Sequence, residues 1–293
     1  MILKEGGNVF KQDENPLTQR IATKDVDTTV QFLEIITGYD WTTDKDDDSI
    51  PKDYLGTTGR KNDPDGTFER NSSGDLDLNT DLNKVSKEEL IGHLRDWLTK
   101  HGIPSEEHMN LGKAQNKKLN GIDAPKKDGW IHDAGDQVHF RTPINGNSEN
   151  GYVQADFMLT DNPDYQRGSK RGGTAQFSGK DRAVLLSSIA RARGVKFSPK
   201  FGIVNAETNE LISNNWDEIA QLLLGPNAKE PDTRTVESIV AALKGDPDFE
   251  ALVGKAKEEF AKDGKELPES VISLADANHN RIVELINRLA DSR

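Results

Sequence analysis

Asp75-Leu76-Asp77-Leu78 places two carboxylates two residues apart with leucines between them. That alternation reads as a β-strand with both acids on one face. Two anions so close repel unless a cation or a shared proton relieves them. An all-oxygen set suits Mg²⁺, which keeps part of its shell for phosphate oxygens. Upstream, Gly56-Thr57-Thr58-Gly59 is a short glycine-hydroxyl turn followed by Arg60 and Lys61. Free backbone N–H groups, hydroxyls and following cations are what a polyphosphate needs. A phosphate cradle ahead of a carboxylate strand points to phosphoryl or nucleotidyl transfer.

A third acid completes the constellation. Gly151-Tyr-Val-Gln-Ala-Asp-Phe-Met-Leu159 is a strand-like run with Asp156 inside it, and Gln137 to Ile144 reads as its partner strand, joined through Asn145-Gly146-Asn147. In this order the turn, the Asp-x-Asp strand and the later acidic strand resemble the DNA polymerase β-type nucleotidyltransferase superfamily. The chain departs from that pattern in having Thr57 where Ser is frequent, and in a long stretch from Asn62 to Ser73 that reads as an inserted loop. The resemblance covers about the first half of the chain. Taken whole, the chain looks most like nucleotidyltransferase-like proteins encoded by large tailed phages.

The resemblance implies an enzyme that transfers a nucleoside monophosphate from an NTP such as ATP to an acceptor hydroxyl. By it, Asp75, Asp77 and Asp156 are the catalytic and metal-binding residues for two Mg²⁺ (or Mn²⁺) ions. Gly56, Thr57 and Thr58 hold the β and γ phosphates, and Asp156 helps draw off the hydroxyl proton. The acceptor stays open: an RNA end, a protein or a small molecule offers the same oxygen. An alternative is a structural or interaction protein that retains the fold without turnover, with other phage virion proteins as partners.

The implied fold is α+β, a small mixed sheet with helices in residues 1–165, followed by a mainly helical cap or docking domain in 166–293. The elements needed to position the acids are legible. Val26, Val30, Leu33 and Ile36 recur at helical spacing, with Thr23 or Asp25 as N-cap and Gly38 as stop. Ser86-x-x-Glu89 is a capping box ahead of the apolar face Leu90, Leu94, Trp97 and Leu98. Met1–Asp25 reads as a polar arm, and Ser105–Asp128 as a long loop. Leu211-Ile212 and Ile203-Val204 read as a hairpin; four helices follow, on Trp216–Leu223, Val236–Leu243, Phe249–Phe260 and Ile282–Leu289.

Between Gln166 and Lys200 stand nine cations and one carboxylate, in a chain of 293 residues whose net charge is −12. Such a concentration suggests a phosphate-bearing partner. Lys180 and Arg182, at the start of a helix, are the candidates to join Arg60 and Lys61 on the nucleotide; a solvated basic face is the plainer reading.

Other readings fail on their residues. Asp75, Asp77, Asn79 and Asp81 match the first positions of a calcium loop, but Thr80 and Ser86 stand where glycine and glutamate are required. Gly173 to Lys180 is one residue too long for a P-loop, and Asp181 replaces the magnesium-binding hydroxyl. The acidic run Asp44–Asp48 reads as a solvated loop. The six histidines lack zinc-helix spacing, and the absence of cysteine excludes thiolate chemistry and disulfides. No apolar run reaches the roughly 20 residues of a membrane span, and the N-terminus lacks a secretory apolar core. The expected setting is therefore the cytoplasm (a host's, or a virion, if phage-encoded), with no membrane partner.

Overall fold

The computed structural model describes residues 8–45, 49–56, 58–59, 72–170 and 179–243, with the Lys180 side chain excepted. The protein is of mixed α+β type and divides into two compact units, Met1–Pro163 and Asp164–Arg293.

The first unit is built on four strands: β1 (Asp75–Asp81), β2 (Ile131–Asp133), β3 (Gln137–Pro143) and β4 (Tyr152–Thr160). Their order across the sheet is β1-β4-β3-β2, with β1 parallel to β4 and the other pairs antiparallel. One face carries Leu76, Leu78, Val138, Phe140, Val153, Ala155 and Phe157, all fully buried. Alternation sends their odd-numbered or even-numbered neighbours to the other face, so burying the leucines commits Asp75 and Asp77 to the face opposite the core.

Two helices contribute to that core. In α1 (Val26–Thr37) the buried stripe is Val26, Thr29, Val30 and Leu33, and the helix ends at Gly38, whose left-handed φ of 72° any Cβ would strain. Asp25 precedes the helix, but its carboxylate accepts from the Asn145 side chain at 2.9 Å instead of capping. In α2 (Lys87–Lys100), Ser86 and Glu89 close the expected capping box, and Leu90, Leu94 and Leu98 are buried in the same core.

Two stretches differ from the expectation. The N-terminal segment is pinned to the sheet from Asn8 onward: Gln19 N donates to Tyr152 O at 2.7 Å, Ile21 pairs with Ser73, and Phe10 and Ile21 are fully buried. The stretch read as a loop contains a helix, α3 (Lys113–Asn120), that buries only Asn116. A helix without an apolar stripe gives no periodic signal.

The second unit is mainly helical but is not all helix. It comprises α4 (Pro163–Lys170, whose first residue closes the preceding unit), α5 (Gly179–Ala192), α6 (Trp216–Leu224) and α7 (Val236–Ala242). An antiparallel sheet lies among them: β5 (Val195–Ser198), β6 (Gly202–Asn205) and β7 (Leu211–Ser213), in the order β7-β6-β5. The expected hairpin is β6–β7; β5 lies in the basic stretch, where Lys196 and Ser198 alternate with Val195 and Phe197. Tyr165, Leu186, Ile189, Trp216, Ile219, Leu223 and Ile239 belong to a separate core. The two helices expected beyond residue 243 lie outside the described residues. No helix among the described residues is long and apolar enough to cross a membrane.

Candidate metal centre

Parallel pairing of β1 with β4 sets Asp77 directly beside Asp156, with Asp75 beside Gln154. Asp75, Asp77 and Asp156 each offer a carboxylate oxygen, and the three atoms lie within 4.8 Å of one another. The first two are half-buried and Asp156 is 8% exposed. Burial first, and the Asp156 carboxylate second, push the Asp75 carboxyl up to about 6, against the pull of Arg20 and His139. A trio of hard oxygen donors with one member held partly protonated at neutral pH is a set that a divalent cation would relieve. The donor set fits Mg²⁺ or Mn²⁺.

The lining of Asp156 was not foreseen. His139 Nδ1 lies 2.7 Å from Asp156 Oδ1, and Gln154 Nε2 donates to the same oxygen at 2.9 Å. A carboxylate only accepts, so Nδ1 carries the imidazole proton. With Oδ1 held by two donors, Oδ2 is the oxygen left to serve the cluster. Gln154 is fixed at its other end, where its Oε1 accepts from Val9 N at 3.0 Å. The row continues outward across the sheet: His139 pairs with His132, and their rings stack at 5.6 Å. Burial, and then His139, hold the His132 imidazole below its ordinary value. The signal for His139 was present in the alternation of Gln137-Val-His-Phe-Arg, but it needed the β3–β4 register to become meaningful.

The turn before β1 packs directly on it. Tyr54 bridges to Leu78, Leu55 N donates to Asp77 O at 2.9 Å, and Asn79 N donates to Asp53 O at 2.8 Å. Gly56 sits at φ 51°, and a Cβ there would collide with Asp77 Oδ2. Glycine is thus required both for the backbone conformation and for the approach to the carboxylate.

Two of the phosphate-binding expectations need correction. Thr58 is 2% exposed, and its hydroxyl accepts from Asp77 N at 2.9 Å. It is a strut for the carboxylate strand and does not face a ligand. Arg182 is 1% exposed; its guanidinium lies 4.9 Å from the Trp216 ring and donates to Thr233 O at 2.5 Å and Ser169 O at 3.3 Å. Its donors are directed to backbone carbonyls inside the second unit, where burial lowers its pKa to about 10. Other described cations of that stretch also meet partners within it or nearby in the same unit. Arg167 pairs with Asp164, Arg193 reaches Leu223 O, and Lys196 meets Asn209. Thr57, Arg60, Lys61 and the side chain of Lys180 lie outside the described residues.

No protein-family model, curated protein or solved structure matches the chain, and the site stands on its own geometry.

Proposed function

We propose that the protein is a metal-dependent nucleotidyltransferase of polymerase β type, acting at Asp75, Asp77 and Asp156. The observation that carries this reading is the convergence of the three carboxylates on neighbouring strands, beside a glycine turn that touches Asp77. The residues to hold Mg²⁺ or Mn²⁺ are these three acids. When bound, the metal supplies neutralisation of the triphosphate and acidification of the acceptor hydroxyl.

The chain's own groups do the rest. The acceptor oxygen forms its bond to the α-phosphorus as the α–β bridge breaks and pyrophosphate leaves. The hydroxyl proton passes to Asp156, through the oxygen that His139 and Gln154 leave open. Gly56 lets the chain approach Asp77 closely, so the turn can present backbone N–H groups on the β1 side of the acids. The work is positioning and charge complementarity, with no covalent enzyme intermediate.

The test has two parts. Mg²⁺ or Mn²⁺ should raise the melting temperature, more so with an NTP present, because a ligand bound only by the native state stabilises it. Incubation with labelled NTPs and a cell extract should then transfer label to the acceptor. A melting temperature indifferent to cation and nucleotide would remove the basis of the reading.

A further inference from the structure

Asp75 and Gln154 belong to a second cross-strand row, which ends on β3 at Arg141. Arg141 therefore shares the sheet face of the three acids, two strands away from β1. Its guanidinium packs in the corner formed by two aromatic rings, 4.5 Å from the centroid of Trp130 and 4.3 Å from that of Tyr152. Those rings meet edge to face at 5.3 Å. No carboxylate pairs with Arg141 among the described residues, and its Nε is enclosed without a hydrogen-bond partner. Gln154, the residue between it and Asp75, is committed to Asp156 and to Val9 N. A guanidinium that is half-buried, rigid and unneutralised is an unfavourable arrangement unless an anion completes it.

The two rings line adjacent sides of the guanidinium, and its in-plane N–H fork matches the oxygens of a phosphate or a carboxylate bidentately. Position decides between donor and acceptor. The glycine turn lies against β1 on one side of the acids, while Arg141 lies on β3, across Asp156 on the other side. We propose that Arg141 is the anchor for a phosphate group of the acceptor, so that the acceptor is itself a phosphate ester. This deepens the nucleotidyltransferase reading and rests on it for the acceptor's identity. Phosphate binding at Arg141 does not depend on turnover.

The probe is inorganic phosphate, titrated into the metal-free full-length protein in EDTA and followed through the arginine Nε–H NMR signals. Arg141 should respond, and Arg141→Met, whose unbranched stem still packs against the rings, should bind phosphate at least about tenfold more weakly. Arg141→Lys, with the charge but not the fork, should fall between. Equal affinity in wild type and Arg141→Met, with both folded, overturns the site; so does a wild type that binds no phosphate. A second arm repeats the titration with Mg²⁺ and a non-hydrolysable NTP. Undiminished phosphate binding supports the acceptor, whereas competitive displacement assigns Arg141 to the donor's phosphates and overturns the acceptor assignment. If Mg²⁺ and NTP leave the melting temperature unchanged while Arg141 still takes phosphate, the enzymatic reading fails and the anion site stands.

Discussion

Arg141 and Arg182 each lay a guanidinium over a tryptophan, at 4.5 Å from Trp130 and 4.9 Å from Trp216, and their surroundings then diverge. Arg182 sits in the basic stretch that the charge count singled out, yet two backbone carbonyls accept from it and it is 1% exposed. Arg141 stands in β3, apart from any basic run, yet its Nε is enclosed without a hydrogen-bond partner among the described residues, on the sheet face of the acid cluster. Density of charge along the chain is therefore a poor guide to where charge is available. What separates a structural cation from a binding one is whether the fold has already supplied its acceptors. The acids follow the same division. Asp156 has one oxygen held by His139 and Gln154, and that restraint fixes how its other oxygen meets Asp75 and Asp77.

The sharpest way to break the comparison is to neutralise an acid in the cluster. Asp77→Asn should lower transfer of labelled nucleotide by about 10²–10³-fold, the scale of losing one electrostatic stabiliser, and should abolish the melting-temperature gain from Mg²⁺. Retained transfer would place the chemistry elsewhere.

The two arginines should then part company in stability. Arg182→Ala orphans buried carbonyls and removes the packing over Trp216, so denaturant unfolding should show a loss of about 2–4 kcal/mol. Arg141→Met keeps its stem against the rings and should stay within about 1 kcal/mol of wild type. Equal losses would mean that both cations are structural.

His139→Ala releases one restraint on Asp156. Outer partners of metal ligands are commonly worth about 10–100-fold in affinity, so Mn²⁺ affinity by titration calorimetry should fall within that range. His139→Gln should restore part of it through its side-chain amide. No change would mean that Gln154 alone orients the carboxylate.

The smallest effect is on pH dependence. Folding raises the Asp75 carboxyl to about 6, so the native state holds more protons than the unfolded chain between its ordinary value near 3.8 and about 6. The contribution of Asp75 to the stability of the metal-free protein should thus decline as pH rises through that window, by at most about 3 kcal/mol and less once solvent screening of this half-buried group is counted. Asp75→Asn should flatten the decline, as should saturating Mg²⁺ at the upper end. A wild-type profile already flat there would show that Asp75 is not strained by its neighbours.

The carboxylate strand, the capping box at Ser86 and the stop at Gly38 were legible from sequence because each depends on neighbours within a few residues. Alternation put Asp75 and Asp77 on one face, and local hydrogen bonds closed the helix ends. The helix at Lys113–Asn120 was illegible because it has no apolar stripe, and the strand at Val195–Ser198 because its alternation spans only four residues of a basic stretch. The site's partners were decided at a distance. Parallel pairing of β1 with β4 set Asp77 beside Asp156, and antiparallel pairing with β3 delivered His139 and Arg141 to the same face. Burial spent the Thr58 hydroxyl on Asp77 N and the Arg182 fork on carbonyls. Sequence determined which groups could carry charge or hold a metal. Only the tertiary structure decided which were already satisfied, because a hydrogen bond's partner is set by strand register and burial, and neither is a local property of the chain.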